Sequence, residues 1–265
     1  MAAYTRNGEE LPRSLLHHLI AVNFSRRQLV YPVAERLFGV GTETPDVKLP
    51  DFLQVPLSRG DSIGFYTAWN NVGPETLEDV YVHVVLPYAP SGRSRESVFP
   101  FYVDTSNKIG GSTSFDLPSG RSEKSFEFEL PLSGGLLAAS GHLHDYGVEL
   151  RIEEVESGRV ITRLRPVRDE DGHVMAVEQK IFRRLFNLVD ARVRFDAGVR
   201  YRVVGVYENP TGGLIVDGGM AHVVGLFAPD DPTAWPAVDP LTEAFRTDAG
   251  ALPDPLGVAH LHEHE

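Results

Sequence analysis

The residues best equipped for chemistry are histidines and one methionine. His142 and His144 stand at i and i+2 in GHLHDYG. In an extended strand that spacing turns both imidazoles to one face, about 7 Å apart, so that two ligands can meet one metal ion. If the strand ran on past Gly147 without a bulge, Val148, Leu150 and Ile152 would share that face, which predicts a histidine pair in apolar surroundings. A second element, GGMAHVVGLF, puts Met220 and His222 on one face and Ala221 and Val223 on the other. The chain has three methionines, the initiator included. A thioether beside imidazoles selects copper, above all Cu(I), because soft sulfur stabilises the reduced ion. The bland alternatives are strand-end histidines that only make hydrogen bonds and a methionine that fills a core gap.

His17 and His18 are adjacent in LLHHLIAVN. Neighbouring strand positions point to opposite faces, so one of them can join a site and both can bind only with a local distortion. His83, within VYVHVV, and His173, in an EDGH turn, read as structural or solvated, and His260, His262 and His264 sit among acidic residues near the C-terminus. Other catalytic templates are missing: there is no G-x-S-x-G elbow, phosphate-binding glycine loop or H-E-x-x-H helix.

The elements that must carry these residues read as strands. Of 265 residues, 25 are Gly and 19 Pro, a turn-rich composition, while 42% hydrophobic and 23% charged residues are ordinary for a globular chain. Runs at 61–70, 77–87, 97–104 and 124–132 are bounded by turn residues. In the last of these Phe126, Phe128 and Leu130 alternate with Ser125, Glu127 and Glu129, as in an antiparallel strand with one dry face. Further runs at 136–153, 158–165, 173–181, 190–195, 199–207 and 214–228 bring the total to ten to twelve strands. Segment 178–188 fits a helix and a strand equally. The expectation is an all-β fold, an antiparallel β-sandwich or jelly roll spanning 14–232. Residues 1–13 read as an N-terminal extension, 31–59 as a covering loop and 233–265 as a Pro-rich tail.

A formal charge of −12 with no basic stripe argues against a nucleic-acid partner. No apolar run is long enough for a membrane span, and the first twenty residues lack the order of a signal peptide. The absence of Cys excludes disulfides and thiolate ligands but leaves the compartment open: periplasmic or extracellular if a leader was removed, cytoplasmic otherwise.

In order and spacing, GHLHDYG, the block VRFDAGVRYRVVGVYENPTGG and then GGMAHVVGLF resemble the copper type II, ascorbate-dependent monooxygenases, the peptidylglycine α-hydroxylating and dopamine β-monooxygenase family. The segment YVDTSNKIGG…FEFELPL is similar to the strands leading into that family's H-x-H pair. The resemblance implies a jelly-roll domain whose catalytic copper is held by His142, His144 and Met220, with 76 residues between His144 and Met220. LLHHLIAVN resembles the adjacent-histidine motif of the family's electron-transfer copper, which would map to His17 and His18. The chain is shorter than a two-domain catalytic core and has no cystines, so one compact domain with one copper is the form expected. Two functional readings follow. One is a copper-dependent, monooxygenase-like oxidoreductase that uses a donor such as ascorbate on a small-molecule or peptide substrate. The other is a non-enzymatic copper-binding or copper-sensing protein in which His222, with His17 or His18, closes the coordination sphere. A metal-free interaction module is the third and blandest reading.

Overall fold

The computed structural model describes residues 2–5, 7–41, 49–89, 95–181 and 193–252. Near the N-terminus, β1 (Leu16–Arg27), β2 (Ala34–Gly41) and β3 (Ile63–Trp69) form an antiparallel sheet with β1 in the middle. Of the strands that follow, the ones that build the sandwich are β4 (Phe99–Asp104), β5 (Gly120–Glu129), β6 (Gly134–Leu143), β7 (Gly147–Glu154), β8 (Val160–Leu164), β9 (Lys180–Ile181), β10 (Arg200–Asn209) and β11 (Ala221–Pro229). One sheet runs β9-β6-β11-β4 and the other β5-β10-β7-β8. Sequence neighbours therefore keep changing sheets, and the order is that of a jelly roll, as the alternating pattern and short turns predicted.

The core lies between these two sheets. Phe101, Val103, Leu136, Ala139, Leu143, Ala221, Val223 and Phe227 face inward from one sheet. Phe128, Leu150, Ile152, Leu164, Tyr201, Val203 and Tyr207 meet them from the other. Each large apolar side chain buried here contributes roughly 1.5–3 kcal/mol. The expected alternation in β5 is present: Phe128 is buried and Phe126 partly buried, while Glu127 and Glu129 are exposed.

Three expectations are corrected. The stretch read as a covering loop contains β2, whose period was masked by Glu35 and Arg36. Glu35 is buried against Arg26 at 2.6 Å, and Arg36 grips Asp248 with two 2.6 Å hydrogen bonds. A charged residue can enter a core when its partner comes with it, and the partner of Arg36 is 212 residues away in sequence. The segment read as a tail is docked through residue 252. Trp235 stacks on Phe99 at 4.1 Å and donates its indole N–H to the carbonyl of Arg27, while α1 (Glu243–Ala251), capped by Thr242, packs Phe245 against a cluster that also holds Val22, Ala34 and Leu252. The N-terminal extension is also part of the fold, since Ala2–Tyr4 pairs with Glu10–Leu11 and Tyr81–His83. Within 178–188, Lys180–Ile181 is strand; the rest of that segment lies outside the described residues, as do His260, His262 and His264.

Candidate metal centre

The centre is built on two adjacent strands, β6 and β11, which place His142 directly opposite His222 in register. The next rung, Leu143 with Ala221, is buried in the core, as is Val223, so alternation turns His142 and His222 to the outer face of the sheet. Gly141 allows the close approach. A Cβ there would stand 2.3 Å from the carbonyl oxygen of His222 and 2.5 Å from Leu150 Cδ2, so no larger residue fits without moving a strand. Beyond Leu143 the pairing continues one step further, the N–H of His144 donating to the carbonyl of Met220 at 3.2 Å. The hydroxyl of Tyr207, reaching up from β10, donates to that same carbonyl.

His144 also ends the strand. Its carbonyl accepts from the N–H of Gly147, and Tyr146 adopts φ 65°, a left-handed turn conformation that few non-glycine residues take. This turn carries the chain from one sheet to the other. The expectation that Val148, Leu150 and Ile152 share a face with the histidines is thereby corrected: Leu150 and Ile152 fill the core from the opposite sheet, and the histidines face away from it. The burial of Ala221 and Val223 agrees with the expectation that His222 points to the opposite face from them.

Three imidazoles gather on this outer face. The ring centroids of His142 and His144 are 5.1 Å apart with planes nearly perpendicular, and those of His142 and His222 are 5.3 Å apart and stacked. Burial lowers the pKa of His142 to about 4, helped by the like charges that His144 and His18 would carry. It lowers that of His222 to about 3, helped by His142 and His144. Although one edge of His142 is open to solvent, the protein beneath it and the neighbouring rings keep the imidazole neutral near pH 7. The Nδ1 atom of His222 is shut off from solvent and has no hydrogen-bond partner. A sealed ring nitrogen without a partner is costly, and an ion or water is the usual remedy. As placed, the rings do not enclose one point: no group of three or more His, Asp or Glu side chains is set to hold a metal ion among the described residues.

Three residues of this site carried no signal in the sequence. Tyr102 lies 5.2 Å from the His222 ring, its phenol pushed far up by burial. Asp104 stands opposite His222 in register, and its carboxylate accepts from the Tyr31 hydroxyl at 2.9 Å and from the N–H groups of Ser106 and Asn107. Burial raises its pKa against those hydrogen bonds. Tyr31 in turn belongs to the turn between β1 and β2. A PFYVD run gives no hint that Tyr102 and Asp104 face a histidine; the pairing of β4 with β11 decides it.

His17 and His18 follow the exception and not the rule. The register of β1 against β3 slips between Leu16 and His18, a bulge at His17, and the two rings lie 4.0 Å apart by their centroids instead of on opposite faces. His18 is close enough to act electrostatically on His142. Of the remaining histidines, His173 is exposed and bonded through Nδ1 to Asp145 at 2.7 Å, and His83 packs beside Tyr4.

No protein-family model matches the chain, and no curated protein matches it. Among solved structures, the VP2 subviral particle of infectious bursal disease virus aligns at 10% identity and a TM-score of 0.21, over 89% of this chain and 57% of that one. T=1 particles derived from the same virus align at 10% identity and a TM-score of 0.19, over 89% and 64% of the two chains. The chain thus spans less than two thirds of these capsid proteins, and likeness at this level bears on no question of function.

Proposed function

We propose that this protein binds copper through His142, His144 and His222 with Met220 as the thioether donor, and that the centre serves oxygen-dependent oxidation of the copper monooxygenase class. The observation that carries the reading is the buried, unpartnered Nδ1 of His222, whose ring stacks on that of His142, both of them held neutral near pH 7. Neutral imidazole is the ligand form, so copper need not compete with a proton. Met220 is two residues before His222, and its carbonyl accepts from the His144 N–H, which brings its backbone beside that histidine.

Copper would supply one-electron chemistry with oxygen, drawing electrons from a donor such as ascorbate. The chain's own residues bind and orient. Tyr207 and the His144 N–H fix the Met220 carbonyl and with it the turn into β11, Gly141 sets the spacing of the two strands, and Tyr102 walls His222 on the side away from His142. The solvent-open edge of His142 leaves one approach for a small molecule or peptide.

Metal titration with spectroscopy of the Cu(II) form tests this reading. One copper per chain with two or three imidazole nitrogens, together with ascorbate-dependent oxygen consumption, is the expected result. Copper binding without oxygen consumption would replace the oxidoreductase with a closed binding or sensing protein. Failure to bind copper would overturn both.

A further inference from the structure

The N-terminal sheet ends on β3, and among the described residues no strand pairs with its outer edge. Which backbone groups face that edge follows from the ladder. The N–H of Phe24 donates to the carbonyl of Ser62 at 2.9 Å, so hydrogen-bonded rungs fall on every second residue, at Gly64, Tyr66 and Ala68, which stand opposite Val22, Ile20 and His18. The N–H and C=O groups of Ile63, Phe65, Thr67 and Trp69 therefore point outward, and Phe65, Thr67 and Trp69 are exposed. Such an edge is a template for another strand unless charge guards it. At the edge of the sandwich, β5 is guarded by exposed Arg121, Glu123, Lys124, Glu127 and Glu129, whereas IGFYTAW in β3 carries no charge. Beside it, Phe65, Trp69, Tyr81 and Leu86 line one cleft of about 550 Å³ and are each 39% to 47% exposed.

We propose that β3 is a dimer interface, where the β3 strand of a second copy of this chain pairs antiparallel across a two-fold axis at Tyr66 and joins the two N-terminal sheets into one. In a two-fold contact residue i meets residue j and j meets i. With the axis at Tyr66, Ile63 faces Trp69 of the other copy and Phe65 faces Thr67, so the outward N–H and C=O groups meet one another, while Gly64 lies opposite Ala68. Charge selects this occupant. At a net charge of −12 two copies repel over most of their surface, and an uncharged strand is where they can meet; just beyond the ladder, Asp61 faces Asn71 and not another carboxylate. At roughly 200 Å² per large side chain, the four cleft residues expose about 350 Å² of apolar surface, close to half of the about 800 Å² that each partner of a specific dimer buries, before the paired backbones are added. The joint is independent of copper.

The test uses the full chain. Sedimentation velocity from low to high micromolar concentration should show a reversible monomer–dimer equilibrium. In the dimer, amide exchange should slow at Ile63, Phe65, Thr67 and Trp69 and stay unchanged at Gly64, Tyr66 and Ala68, whose N–H groups are already bonded to β1. Thr67→Lys, which puts a charge on the exposed face of the strand, should weaken association at least tenfold and leave thermal unfolding of the monomer unchanged; Val160→Lys, on the edge strand β8, should associate as wild type. A wild type that stays monomeric, a dimer without the alternating protection in 63–69, or wild-type association in Thr67→Lys would each overturn the interface. The exchange pattern of wild type decides the matter even if Thr67→Lys fails to fold.

Discussion

The two outer faces of the sandwich use polar residues in opposite ways. On the β5-β10-β7-β8 sheet, charges are matched. Arg151 bonds Glu153 at 2.9 Å, Glu149 at 3.1 Å and Glu123 at 3.2 Å, Arg202 adds a second cation to Glu153, and Arg163 shares Glu149. Val204 and Val206 lie beneath this network, almost fully buried, in register with Arg151 and Glu123 or Glu149. On the β9-β6-β11-β4 sheet, the groups acting on His142 and His222 are other imidazoles. The nearest carboxylate in the ladder, Asp104, is committed to Tyr31, Ser106 and Asn107. A face built for stability pairs unlike groups. One that gathers like groups, all of them ligands, gives up stability for binding.

Acid should separate the two faces most strongly. In the metal-free protein His142 and His222 have pKa values near 4 and 3, below the ordinary 6.5, so the unfolded chain takes up protons first. Stability should fall as pH drops from about 6.5 toward 3. Burial alone would raise the pKa of Glu153, but Arg151 and Arg202 outweigh it and hold it below 4.5, so the charged face loses its contribution only as pH falls below that value. Denaturant unfolding from pH 8 to 3 should show the first loss in wild type and not in His142→Gln/His222→Gln. An unchanged profile in that double variant would remove the imidazoles as its cause.

The next largest effect is expected from Gly141→Ala, whose methyl must displace both β11 and Leu150. Overpacking of this kind costs about 3 kcal/mol, which thermal unfolding would register, and copper affinity should fall with it because His142 and His222 shift relative to each other. A variant as stable as wild type would show that the strands have slack.

Crossing the faces gives a smaller and cleaner contrast. His142→Ala should weaken copper at least about 100-fold, more than the loss of a residue that merely supports a ligand, with little change in apo stability because one edge of the ring is already solvated. Arg151→Ala should leave copper untouched and cost about 1 kcal/mol, since the pairs it breaks are partly exposed and screened. Salt titration of unfolding and isothermal copper titration of both variants would expose any exchange of these roles. The smallest effect belongs to Met220→Leu, which keeps the volume and removes the sulfur. Cu(I) affinity should fall about tenfold and Cu(II) affinity far less, and equal losses in both states would take Met220 out of the coordination sphere.

Alternation and turn spacing in the sequence determined that the chain is an antiparallel β-sandwich, because period two and Gly/Pro punctuation are local properties. The same local logic singled out His142 and His144, which the structure gathers with His222. It could not read three things. Whether the histidines face the core or the outside depended on a turn at 144–147 that moves the chain between sheets, and Tyr146 gives no sign of its positive φ. That His222 stands opposite His142, and Asp104 opposite His222, is a matter of register between strands about 80 and 120 residues apart in the chain, fixed by which faces must be buried. The company of His17 with His18 required a bulge, which inserts an extra residue without leaving a mark in composition. Residue types set the available chemistry, while the pairing of distant strands decided which residues share a site, because the contacts that fix register are made by the packed core and not by the site itself.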